Sequence, residues 1–213
     1  MESGKTSGGL TSPGEREHGG DTMSLQTSPR DVLLERGLDR SSRTPTTRSP
    51  AMPGEIPGIT RFAKVSDALY RGAQPTAEGY VELKKMGVKT VINLRKSSHR
   101  DDFRGELEPL GLRCVAIPSR GANPADEEIV KALKILRDPE NQPAFVHCKR
   151  GKDRTGCVVA VYRMVEQGWR VEEAVDELCV FHFPPKSQIV DYLQNLDVEA
   201  IREQTGKVSG SSV

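Results

Sequence analysis

The eleven residues Val146–Gly156, VHCKRGKDRTG, gather one thiol, one imidazole, one carboxylate, four cationic side chains and two glycines. A tight loop of such residues can turn successive backbone N–H groups toward one point. A helix starting after it adds the positive end of its dipole, so a phosphate-sized dianion is favoured there. Arg154, six positions after Cys148, can return across the loop and donate two parallel hydrogen bonds to phosphate oxygens. Gly151 permits backbone turns that a side chain would block. The same donors act on the sulfur. A thiol among amides, a helix amino terminus and the cations Lys149, Lys152 and Arg154 is expected as thiolate at neutral pH, the nucleophilic form.

That chemistry requires a loop held between a strand and a helix. Short apolar runs rich in β-branched residues, VKTVINLR (Val88–Arg95), LRCVAIP (Leu112–Pro118) and PAFVHC (Pro143–Cys148), predict buried strands, with ITRFAKV and ALYRG as weaker ones. Between them, Thr76 predicts a helix cap and Gly87 a helix end. Asn123 and Pro124 predict the start of a second helix with Ile129, Val130, Leu133 and Leu136 on one face. Helical patterns continue after Cys148. The alternation predicts an α/β fold: a mainly parallel central sheet of about four or five strands flanked by helices. Ligands in such folds bind beyond the carboxyl ends of the strands, where Cys148 falls.

The bulk properties narrow the field. The 213 residues carry a formal net charge of +1, without a basic stripe, which argues against nucleic acid as a partner. No stretch is long and apolar enough for a membrane span. Cys114, Cys148, Cys157 and Cys179 lack the spacing of a disulfide scaffold, so a reducing, cytoplasmic setting is expected. His18, His99, His147 and His182 are scattered without metal-ligand spacing, and neither a metal nor a cofactor is expected. Residues 1–57, rich in Gly, Ser, Thr and Pro, are expected as a disordered leader. Residues 58–205 are expected to form one domain and 206–213 a flexible tail, in a monomer.

With an apolar strand before it and an apolar helix after it, the string H-C-x-x-G-x-x-R-T-G resembles the signature of the cysteine-dependent protein tyrosine and dual-specificity phosphatases. LYRGAQP (Leu69–Pro75), VINLR (Val91–Arg95) and HCKRGKDRTG are similar to an atypical dual-specificity group. That group includes plant and fungal enzymes cleaving inositol pyrophosphates, and similar bacterial proteins. The resemblance spans Ile59 to Leu196. It implies a dual-specificity-phosphatase-like fold, with Cys148 as nucleophile and Arg154 as transition-state clamp. It also implies Thr155 as the hydroxyl donor that helps the sulfur leave, and His147 as support for the loop.

The expected proton donor is harder to place. Most members of that superfamily carry an Asp on a separate upstream loop, yet no carboxylate occurs from Pro109 through Ala125. Asp153, inside the loop, makes the order C-x-x-G-x-D-R, similar to the myotubularin lipid phosphatases, where that Asp is taken as the acid. Asp126, 22 positions before Cys148, is the alternative, although an Asp in a first helical turn is explained by the dipole alone.

Lys149, Arg150 and Lys152, with Gly151 between them, offer more charge than one phosphate needs. They favour an inositol phosphate or phosphoinositide head group, with a phosphotyrosine, phosphoserine or phosphothreonine protein close behind. Arg71 and Arg95 lie at strand ends or in loops where a pocket wall is expected, with a surface or structural cation as the equal alternative for each. Two other readings use the same loop: a rhodanese-like sulfurtransferase carrying persulfide on Cys148, and a non-catalytic phosphate-binding module.

Overall fold

The computed structural model describes residues 49–96, 105–181 and 185–206. Six strands form one sheet: β1 (Gly54–Ile56), β2 (Ile59–Ser66), β3 (Leu69–Gly72), β4 (Thr90–Asn93), β5 (Arg113–Ala116) and β6 (Ala144–His147). Their order is β1-β2-β3-β6-β4-β5. The pairs β3–β6, β6–β4 and β4–β5 are parallel, whereas β1–β2 and β2–β3 are antiparallel hairpin pairings. Each apolar run expected as a strand is one, with ends that agree to within a residue or two. The sheet is one strand wider than expected, because the short Gly54–Ile56 run between two prolines carries no periodicity to reveal it.

Alternation along the buried strands divides the core. Val91 and Phe145 pack on one face with Tyr80 and Leu83 of α1 (Ala77–Lys85). Ile92 and Val146 point the other way. Five helices cover that second face: α2 (Asp126–Arg137), α3 (Asp153–Gln167), α4 (Val171–Phe181), α5 (Ser187–Gln194) and α6 (Val198–Gly206). α3 is buried on nearly every side from Thr155 to Val165, which fits its continuous apolar run and makes it the centre of that layer. Gly168, at φ +63°, ends it.

The helix signals read well. Thr76 Oγ1 accepts from the Gly79 N–H at 3.3 Å and caps α1, and Gly87 follows that helix at φ +82°. α2 begins two to three residues later than Asn123–Pro124 indicated: Ala125 is the cap, its N–H bonded to Glu128 Oε2 at 3.0 Å. Ile129, Val130, Leu133 and Leu136 are all buried as expected.

The expected leader boundary at residue 57 is corrected. Ala51 is buried against Ala63 and Phe181, its N–H donates to Glu177 Oε2 at 2.8 Å, and β1 pairs with β2. These contacts pull residues 51–56 into the domain. Residues 1–48 and 207–213, with most of the expected leader and nearly all of the tail, lie outside the described residues.

Candidate active site

The carboxyl ends of the four parallel strands β3, β6, β4 and β5 meet along one edge, knitted by backbone bonds. Leu94 N–H donates to the His147 carbonyl at 2.9 Å, Ile117 N–H to that of Asn93 at 2.9 Å, and Gln74 N–H to that of Lys149 at 3.3 Å. The loop from Cys148 to Lys152 rises from this edge and runs into α3.

Cys148 is only 4% exposed, at the floor. Burial alone would push its thiol up. That effect is outweighed by the Thr155 hydroxyl and by the backbone N–H groups of Thr155, Arg150 and Gly151, all of which donate to the sulfur, so the thiol is held below its ordinary range. The buried Thr155 hydroxyl has no other partner among the described residues. Three amides, a hydroxyl and a helix amino terminus thus converge on one sulfur, and such a concavity also receives an oxyanion.

The loop is held in shape from below. Gly151 adopts φ +68°, and a Cβ there would stand 2.5 Å from the Gly72 carbonyl carbon, so the residue must be glycine on both counts. His147 is fully buried, stacks on Phe145 at 5.7 Å, and donates from Nδ1 to the Cys148 carbonyl at 3.3 Å. Burial lowers its pKa to about 4, so it is neutral near pH 7 and supports the loop rather than charging it.

Arg154 leaves the first turn of α3 and donates from Nη1 to the carbonyls of Leu94 at 3.0 Å and Ser119 at 3.3 Å. Both carbonyls belong to segments that follow strand ends, so the guanidinium lies across the mouth of the same edge. Sequence reasoning missed these anchors, because backbone acceptors leave no trace in residue type. Lys149 and Arg150 are exposed, Lys152 is partly buried, and the three make no ion pair among the described residues. Arg95 donates to Gln74 Oε1 at 3.3 Å, and Gln74 in turn donates to the Tyr80 hydroxyl at 2.7 Å, which links VINLR to LYRGAQP. Of the two readings of Arg71, the structural cation holds: the side chain is buried behind the loop.

The two carboxylates considered as acids separate. Asp153 is the first residue of α3, next to Arg154, and Lys186 Nζ lies 3.6 Å from its Oδ2. Asp126 is exposed in the first turn of α2, and its Oδ1 accepts from the Tyr192 hydroxyl at 2.6 Å. Tyr192 lines a cavity of about 440 Å³ with Pro118, Arg120, Asn123, Pro124 and Glu128. The cavity flanks Ser119, and so adjoins the Arg154 side of the loop. Among the described residues no group of His, Cys, Asp and Glu has the arrangement of a metal site, and no helix is long and apolar enough to cross a membrane.

Comparison with known proteins places this geometry. Residues 60–189 match the family described as DSP-PTPase phosphatase fused to NAD+ kinase. The dual specificity protein phosphatase TpbA of Pseudomonas aeruginosa is 32% identical over 175 residues, covering 80% of this chain and 78% of that protein. Its crystal structure in complex with pTyr superposes with a TM-score of 0.64 at 29% identity, over 76% of this chain and 99% of the other. Inositol diphosphatase SIW14 of Saccharomyces cerevisiae is 28% identical over 68% of this chain and 54% of that protein. The core catalytic domain of SIW14 superposes with a TM-score of 0.61 at 27% identity, over 67% of this chain and 88% of the other.

Proposed function

We propose a two-step phosphoryl transfer through Cys148, from the premise that this chain belongs to the cysteine-dependent dual-specificity phosphatase family. It is a phosphatase, which sets aside the sulfurtransferase and the non-catalytic binding module as readings of the loop. The observation that carries the mechanism is the sulfur's environment: a buried thiol that three amides and the Thr155 hydroxyl hold below its ordinary range.

In the first step Sγ of Cys148 attacks phosphorus as the bond to the leaving oxygen breaks, with Asp153 delivering a proton to that oxygen. Arg154 and the loop amides stabilise the equatorial oxygens, where charge accumulates. In the second step water attacks phosphorus and gives its proton to Asp153, and the sulfur leaves as thiolate, eased by the Thr155 hydroxyl. His147 supports the loop and carries no proton in either step.

For substrate, Lys149, Arg150 and Lys152 favour a molecule with several phosphates, since no ion pair with a described residue neutralises them. An inositol phosphate or phosphoinositide head group fits that charge, and a leaving phosphate needs little help from an acid. The cavity lined by Pro118, Pro124 and Tyr192 favours a second reading, an aryl phosphate such as phosphotyrosine. A thiolate nucleophile works only while reduced, so a reducing compartment such as the cytoplasm suits the chemistry.

Turnover of inositol pyrophosphates, phosphoinositides and phosphotyrosine peptides, measured side by side, decides between them. The first reading expects the highest kcat/KM among the polyphosphorylated substrates, falling when Lys149 and Arg150 are replaced by Met. A preference for phosphotyrosine peptides that ignores both replacements would overturn it. Loss of all turnover in Cys148→Ser is expected in either case.

A further inference from the structure

Arg71 lies on β3 with only 1% of its surface exposed, although a guanidinium is costly to desolvate unless it is paired. Its Nη2 donates to the Gly151 carbonyl at 2.9 Å, and its guanidinium carbon stands 3.6 Å from the centroid of the Phe181 ring. Nε has no hydrogen-bond partner among the described residues. Among the described residues no carboxylate forms an ion pair with this cation. Glu177 on α4 is engaged elsewhere: its Oε2 binds Arg163 Nη2 at 2.7 Å and the Ala51 N–H at 2.8 Å.

Two anionic groups nevertheless favour the charged form of Arg71, Glu177 and Cys148, while Arg163 opposes it. Burial brings the guanidinium down to about 10, still well above neutral pH, so the cation persists inside the protein. Glu177 is shared with Arg163, which leaves the sulfur as the anion without another buried counter-charge among the described residues. The other ionisable groups near that sulfur are differently placed. Lys149 and Arg150 are exposed, Lys152 and Arg154 are partly exposed, Asp153 is acidic with Lys186 beside it, and His147 is neutral.

A Cβ on Gly156 would stand 2.4 Å from Leu178 Cδ1, so the last glycine of the motif lets α3 pack closely on α4, with Arg71 Nη2 at ordinary contact distance beside it. Phe181, which covers the cation, packs in turn with Ala51 and Ala63.

We propose that Arg71 is a positioning residue for phosphoryl transfer: it holds the active-site loop through the Gly151 carbonyl and supplies, from behind, the buried positive charge that balances the Cys148 thiolate. This rests on the reading of Cys148 as a resting thiolate. Neutralising Arg71 should therefore move the titration of the sulfur, not merely the stability of the fold.

The test is iodoacetamide alkylation of Cys148 across pH, followed by mass spectrometry of the Cys148 peptide in the full chain. In Arg71→Met the midpoint is expected to rise by about one pH unit, the lower end of the effect of a neighbouring charge. Arg71→Lys, which keeps a cation, is expected to recover most of that shift. A folded Arg71→Met protein with the wild-type midpoint, or an Arg71→Lys protein as shifted as Arg71→Met, overturns the proposal. Should Arg71→Met fail to fold, Phe181→Leu is read instead, since it keeps Arg71 but admits water against it. A raised midpoint there supports the proposal and an unmoved one overturns it. A wild-type midpoint at the ordinary thiol value would defeat the thiolate reading as well, so the two failures are distinguishable.

Discussion

Arg154 donates from Nη1 to the carbonyl oxygen of Leu94 at 3.0 Å, tying the active-site loop to the end of β4. The Ser119 carbonyl, 3.3 Å from the same nitrogen, adds a second tie. The guanidinium is thus anchored on one nitrogen before a phosphate arrives. Lysine can replace the charge but not the forked geometry. Arg154→Lys is expected to lower kcat/KM for an aryl phosphate by about 100-fold or more with little change in thermal midpoint. Steady-state kinetics retaining activity within tenfold would remove Arg154 as the clamp.

The assignment of Asp153 as acid makes its loss depend on the leaving group. Asp153→Asn should slow an alkyl phosphate far more than an ester of an acidic phenol, whose oxygen leaves unprotonated. Asp126→Asn should show no such split, because that carboxylate is exposed and engaged with Tyr192. Equal losses on both esters in Asp153→Asn, or a split that appears in Asp126→Asn instead, would transfer the role.

Gly151→Ala meets two obstacles at one position, a left-handed φ of +68° and the Gly72 backbone 2.5 Å from the new Cβ. The first alone costs about 1–3 kcal/mol. The loop is expected to shift away from β3, weakening inhibition by inorganic phosphate or vanadate together with turnover. Unchanged inhibition constants would mean that the amide cradle tolerates the displacement.

His147 makes stability depend on pH in a stated direction. Burial lowers its pKa from 6.5 to about 4, so on acidification the unfolded chain takes up the proton before the native protein does. The contribution is complete above about pH 6.5 and is lost as pH falls toward 4, amounting to about 2 kcal/mol between pH 7 and pH 5. Urea unfolding at those two pH values should show a smaller loss in His147→Asn, whose amide can still donate to the Cys148 carbonyl. An identical loss in both proteins would contradict a buried neutral imidazole.

Much of this architecture can be read from local pattern. Thr76 caps α1 through its own side chain, the inward face of α2 follows a helical period, and β4 and β6, buried on both faces, show as short continuous apolar runs. The reactive loop was legible because Cys148, Gly151, Arg154 and Gly156 lie within nine positions, where spacing carries geometry. Pairings between distant segments were not. The insertion of β6 between β3 and β4, and the bond from Tyr192 to Asp126 across 66 positions, depend on tertiary packing. For Arg71 the strand-end position left a pocket wall and a structural cation equally open. Its place two residues after Leu69 on β3, on the same face as that wholly buried residue, was the signal that could have turned it inward. The acid remains the least legible part, since Asp153 and Asp126 both occupy first turns of helices where a carboxylate is favoured anyway.

The covalent intermediate is the most direct test of the whole account. A rapid acid quench during turnover, followed by mass spectrometry of the peptide containing Cys148, should capture a phosphate-mass adduct on that sulfur. It should build up faster than product forms in the steady state and accumulate further in Thr155→Val, where the departing thiolate loses its hydroxyl donor. Full turnover with no adduct on Cys148, or turnover that survives Cys148→Ser, would contradict it.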